Sequence, residues 1–160
     1  MDSRTATTSL QAIGITCALL HSGISAGSSL LTLPILQRLP AGTALDIWTE
    51  FFDRGLAVVV PLAIASTVAS ATAAYLTPPK RNTLAAAGGL VISTLIWTAL
   101  VMAPGIQRMI LLNDSAAELE KAAAGEVLAL LKAWSWQNMV RFALSGAGGV
   151  VGLWALVQSE

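Results

Sequence analysis

The residues best suited to chemistry are a single histidine and a few polar side chains set in otherwise apolar sequence. His21, Ser25, Ser28 and Thr32 fall at i, i+4, i+7 and i+11, and Ser22 and Ser29 widen the stripe they form on one helical face. A histidine titrates near neutrality and can act as a general base. The plainer role of such hydroxyls is to bond their own helix or a neighbour and so tighten packing. Trp134, Asn138 and Arg141, at i, i+4 and i+7, place an indole, an amide and a guanidinium on one face. Donors so grouped can hold an oxyanion, although Trp and Arg also serve as ordinary interfacial anchors. Asp46, Glu50 and Asp53 share a third face, which suits either a carboxylate metal site or a solvated surface with a Glu50–Arg54 pair. The second is expected, because metal sites for oxygen chemistry usually include several histidines. One histidine and one cysteine, Cys17, exclude a bis-histidine haem within the chain and leave a structural zinc site poorly provided. No phosphate-binding loop, dinucleotide fingerprint or hydrolase nucleophile motif is present.

The elements that must position these residues are transmembrane. Of 160 residues, 55% are hydrophobic and 11% charged, against about 25% charged in a soluble domain. Lipid is therefore the expected solvent for most of the surface. The net charge of zero gives no electrostatic reason for a nucleic-acid partner. A span needs roughly 20 apolar residues, and four stretches approach that: about 10–36, 55–76, 84–104 and 138–158. The expected fold is all-α: one domain over 1–160, an integral membrane four-helix bundle. Pro34 and Pro40 are expected to end the first helix, Thr77-Pro78-Pro79 the second and Pro104-Gly105 the third. The tight Pro78–Asn82 link predicts an antiparallel hairpin of helices two and three. From Ser115 to Trp136 the chain reads as an amphipathic helix leading into the fourth span, with Ser115 and Glu118 as a capping box.

Gly23 with Gly27, Gly148 with Gly152, and Ser66, Ser70 and Ala74 are spaced for close helix approach. They permit a homo-oligomer without requiring one. Arg4 and the apolar stretch after it resemble a secretory signal, but the uncharged run is too long for one, so an intact span is expected. Four spans place both termini with Lys80 and Arg81 on one side. The other side takes Arg38, Arg54, Arg108, Lys121, Lys132 and Arg141 together with seven carboxylates. Basic-residue counting and the short basic turn point opposite ways, so orientation stays open. The Asn113-Asp114-Ser115 sequon is usable only if that second side is luminal. The organelle is undetermined.

The order of motifs is informative. A first span closes on Leu31-Thr32-Leu33-Pro34. Trp48 precedes Phe51-Phe52-Asp53-Arg54-Gly55, Asn113 follows helix three, and Trp134, Asn138 and Arg141 lead into the last span. This arrangement resembles the small membrane-protein family that includes the fungal anthrone oxygenases. The resemblance implies a multi-pass membrane protein that uses molecular oxygen to convert an anthrone, a polycyclic aromatic polyketide, to an anthraquinone in secondary-metabolite biosynthesis. It implies no organic cofactor or metal. On that reading His21 is the base, with Ser25 beside it. Asn138 and Arg141 stabilise the enolate, Trp48 and Trp134 stack on the planar substrate, and Arg54 and Asn113 join the binding residues. The competing expectation is non-enzymatic: a four-span membrane scaffold, or a carrier for an apolar metabolite.

Overall fold

A computed structural model describes residues 3–158. Among the described residues the chain is helical throughout, with no strand: α1 (Ser3–Gly27), α2 (Leu33–Leu36), α3 (Ala41–Leu76), α4 (Arg81–Trp97), α5 (Ala103–Asp114), α6 (Ala116–Lys121) and α7 (Glu126–Val157). Four helical rods, Thr5–Leu36, Ala41–Leu76, Pro78–Asp114 and Glu126–Val157, are long and apolar enough to cross a membrane. Leu31, Leu100 and Val150 are 71%, 75% and 63% exposed. An outer surface of that kind suits contact with lipid.

Two prolines expected to stop helices do not stop them. Five-residue π-turns, Ser28–Thr32 and Thr98–Met102, join α1 to α2 and α4 to α5 without a break. In each, the N–H after the turn bonds five residues back, Leu33 to the Ser28 carbonyl and Ala103 to the Thr98 carbonyl. Pro34 and Pro104 follow directly. A proline ring clashes with the carbonyl four residues earlier and offers no N–H to it. The wider turn moves that carbonyl aside, so the helix absorbs its proline as a local bulge.

Span boundaries differ from expectation for similar reasons. The second helix begins at Ala41 rather than near 55, because Asp46, Glu50, Asp53 and Arg54 are helix-compatible and project outward, with Glu50 and Arg54 paired at 2.6 Å. The segment from Ser115 is two helices. Ser115 Oγ does cap Glu118 N at 3.3 Å, but the chain breaks at Gly125, whose φ of +85° suits glycine, and α7 restarts at Glu126. Arg141, counted in the sequence with the charges on one side of the membrane, lies midway along α7.

The hairpin is as expected: Pro78–Lys80 forms a single 3₁₀ turn between α3 and α4. Small residues then set how closely the rods pack. A Cβ on Gly148 would meet Val91 at 2.8 Å and the Ala87 carbonyl at 2.9 Å, and one on Gly152 would meet Ile15 at 3.0 Å. Ser66 Oγ donates to the Gly14 carbonyl at 2.8 Å. Gly23 and Gly27 behave otherwise. A Cβ at either would meet nothing within 4 Å, so this pair packs no helix within the chain.

Candidate functional site

α1 and α7 run antiparallel, and their polar faces meet. Ser22 Oγ donates to the Phe142 carbonyl at 3.0 Å and Ser29 Oγ to the Ser135 carbonyl at 3.0 Å. The π-turn contributes here. Since Leu33 N reaches past Ser29 to Ser28, the Ser29 carbonyl is left to accept from Ser135 Oγ at 3.4 Å. These serines act as packing glue, the plainer of the two roles open to them.

Between these contacts the two helices bring His21, Ser25, Asn138 and Arg141 together, all at most 6% exposed. Asn138 Nδ2 donates to the Ser25 carbonyl at 2.8 Å and to Ser29 Oγ at 3.1 Å. Its Oδ1 accepts from Arg141 Nη1 at 3.2 Å. Arg141 Nη2 lies 3.4 Å from His21 Nε2. A guanidinium only donates, so Nε2 is the acceptor and the ring proton sits on Nδ1. Arg141 Nε, His21 Nδ1, Ser25 Oγ and the indole N–H groups of Trp48 and Trp134 are buried without a hydrogen-bond partner among the described residues. No described carboxylate pairs with Arg141; the ion pairs are Arg54–Glu50, Arg108–Glu118, Arg108–Glu126 and Lys121–Glu118.

An apolar cavity of about 220 Å³ opens beside this cluster. Ile24, Ser25 and Ser28 wall it from the first rod, Phe51, Phe52, Leu56 and Val59 from α3, and Trp134, Asn138 and Arg141 from α7. A second apolar opening, about 390 Å³, lies between α3 and the third rod, where Thr98 and Ala99 of the π-turn and Ala103 line it. Phe52, Leu56 and Arg141 border both.

The residues singled out in the sequence take different places around this cavity. Ser25, Trp134, Asn138 and Arg141 are on its wall, and Arg54 lies at its rim, 80% exposed and held by Glu50. His21 is fully buried and lies behind Arg141 rather than on the wall. Trp48 is one layer back, stacked on Phe52 with centroids 5.1 Å apart and edge-on to Trp134 at 6.0 Å. It shapes the wall through its neighbours. Asn113 sits in the last turn of α5 and borders neither opening. Phe51 and Phe52 were visible in the sequence only as part of a motif; that they face a cavity depends on where α3 begins. Ser29, the partner of Asn138, belonged to the widened stripe. Among the described residues no three His, Cys, Asp or Glu side chains converge.

The family model described as anthrone oxygenase matches residues 48–151, more than half of the sequence. The chain belongs to the anthrone oxygenase family. Comparison with curated proteins and with solved structures returns no match. The matched stretch of this family member takes in Trp48, Arg54, Asn113, Trp134, Asn138 and Arg141, whereas His21 and Ser25 precede it. Family membership therefore bears on the α3 and α7 walls of the cavity. The first rod enters the site through its hydrogen bonds to α7.

Proposed function

We propose that this protein is a membrane oxygenase that converts an anthrone to an anthraquinone, in the cavity between the first rod, α3 and α7. The family supports an oxygenase role. The observation that carries the reading is Arg141, a buried cation with no carboxylate partner among the described residues, on the wall of an apolar cavity. A charged side chain at the centre of a spanning helix costs roughly 2.5–3.5 kcal/mol on an insertion scale. Such a cost is sustained where the charge serves a function.

The reaction needs an apolar pocket and a stabiliser for negative charge. An anthrone loses a proton from its central methylene to give a delocalised enolate. The enolate passes its electrons to O2, and a carbon–oxygen bond forms. Loss of the second methylene proton with cleavage of the O–O bond leaves the new carbonyl, and the other oxygen leaves as water. One anthrone and one O2 give one anthraquinone and one water. Arg141 and Asn138 hold the enolate oxygen, donors preorganised where charge develops. Phe51, Phe52 and Trp134 enclose the planar rings, in an apolar setting suited to a polycyclic aromatic ligand. No cofactor is assigned a step in this scheme.

Purified protein mixed with emodin anthrone under air should form the quinone faster than a boiled control, with one O2 consumed per quinone at an oxygen electrode. Arg141→Gln should lose most of that excess. A rate equal to the control, with the polycycle nonetheless bound, would make the protein a carrier and end the oxygenase reading.

A further inference from the structure

We infer that the cavity is a standing anion site, which takes its planar aromatic ligand already ionised, and that His21 positions Arg141 instead of removing a proton from the ligand. The inference rests on the anthrone reading only for the ligand's polycyclic shape; the charge follows from the site.

Three residues on the wall of this cavity carry a buried donor with capacity to spare. Arg141 Nε, Ser25 Oγ and Trp134 Nε1 have no partner among the described residues, and Ser25, Trp134 and Arg141 all line the wall. Asn138 adds an amide already committed to orienting Arg141. The charged residues on this wall are both arginines, Arg54 at the rim, neutralised by Glu50, and Arg141 in the depth. The wall offers the ligand donors and positive charge and no carboxylate to repel it. A neutral ligand would leave the guanidinium desolvated and uncompensated, the costly arrangement for a buried charge. A phenolate or enolate oxygen removes that penalty on binding. The class of ligand is therefore an acidic, planar, fused-ring phenol or enol, bound as its anion.

His21 fits this picture and fits direct proton abstraction poorly. Its one lone pair, on Nε2, is turned to Arg141 Nη2, and the ring is fully buried behind the wall. With Asn138 Oδ1 on Nη1 and His21 Nε2 on Nη2, both terminal nitrogens are held from behind. The guanidinium is thereby aimed, and the proton the substrate loses stays in the aqueous phase. The oxidation then starts from the anion: enolate and O2 give quinone and hydroxide, with atoms and charge in balance.

The probe is 1,8-dihydroxyanthraquinone, a planar phenol whose visible band moves to longer wavelength on ionisation. It is titrated with detergent-purified protein at a pH at which the dye in protein-free micelles is neutral. The wild type should bind it with the phenolate spectrum. Arg141→Gln should bind at least tenfold more weakly and without the shift, and Arg141→Lys, which keeps the charge, should retain part of it. A neutral spectrum for dye bound to the wild type would overturn the anion site, whatever the variants do. For His21, the glutamine variant, whose amide oxygen can accept from Nη2, should recover most of the shift and turnover that His21→Leu loses. If His21→Gln runs as a folded protein on size exclusion, binds the dye anion and yet turns over no faster than His21→Leu, the positioning role fails and the base role stands. Dye bound as phenolate without any anthrone oxidation would support the anion site and refute the oxygenase reading instead.

Discussion

Replacing Asn138 by aspartate changes one charge at almost constant shape, and it separates the electrostatic account of the site from a purely steric one. The new carboxylate would sit where Asn138 Oδ1 now accepts from Arg141 Nη1 at 3.2 Å. Arg141 would gain the internal partner it lacks. The donations from Asn138 to the Ser25 carbonyl and Ser29 Oγ would be lost, at about 0.6 kcal/mol each for a hydrogen bond between membrane helices. The new ion pair offsets that, so melting in detergent should move little. Ligand binding should move a great deal. An anion held on the cavity side of the guanidinium would lie about 6 Å from the carboxylate, and at an effective dielectric of about 20 the repulsion is about 2.8 kcal/mol. That corresponds to roughly a 100-fold loss of affinity. Dye titration and kcat/KM for anthrone oxidation, measured beside a melting curve, provide the assay. A folded Asn138→Asp protein that binds the dye anion within threefold of wild type would refute the claim that an uncompensated Arg141 is what the ligand meets.

Two further predictions test how the helices are set. Gly148→Leu should destabilise the bundle by about 1–3 kcal/mol, because even its Cβ would be 2.8 Å from Val91 and 2.9 Å from the Ala87 carbonyl; Gly23→Ala, with nothing within 4 Å, should be neutral or slightly stabilising in the same melt. Pro34→Ala removes the clash that the Ser28–Thr32 π-turn accommodates. The first rod should then gain a regular turn and its stability should hold, while turnover falls about tenfold as the Ser29 contacts to Ser135 and Asn138 shift out of register.

The bundle was legible in the sequence because lipid imposes a simple rule: a stretch that crosses it must be apolar and helical, and this shows in one dimension. The Pro78–Lys80 turn and the Ser115 cap were legible for an equally local reason. The polar face of α1 and the Trp134, Asn138 and Arg141 face were visible as stripes, since a helix repeats every 3.6 residues whatever it packs against. The prolines misled because a π-turn depends on backbone carbonyls finding other partners, and the partner of the Ser29 carbonyl is Ser135, 106 residues away. The acids Asp46, Glu50 and Asp53 were legible as a solvated helical face with a Glu50–Arg54 pair, but an apolar-span criterion could not show that this face belongs to the second rod, which begins at Ala41.

The sequence by itself determined that this chain forms four apolar helices, with a lone histidine and a lone arginine on two of their faces, because composition and periodicity are properties of each helix alone. Only the tertiary structure decided that these faces oppose each other and that Asn138 ties them together. It also set Arg141 on the cavity wall and turned His21 away from it. Which atom faces the cavity depends on the rotation and antiparallel register of α1 against α7, set by close contacts such as Gly149 with Leu19 and Gly152 with Ile15. Those contacts join residues far apart in the chain, so no local pattern encodes them.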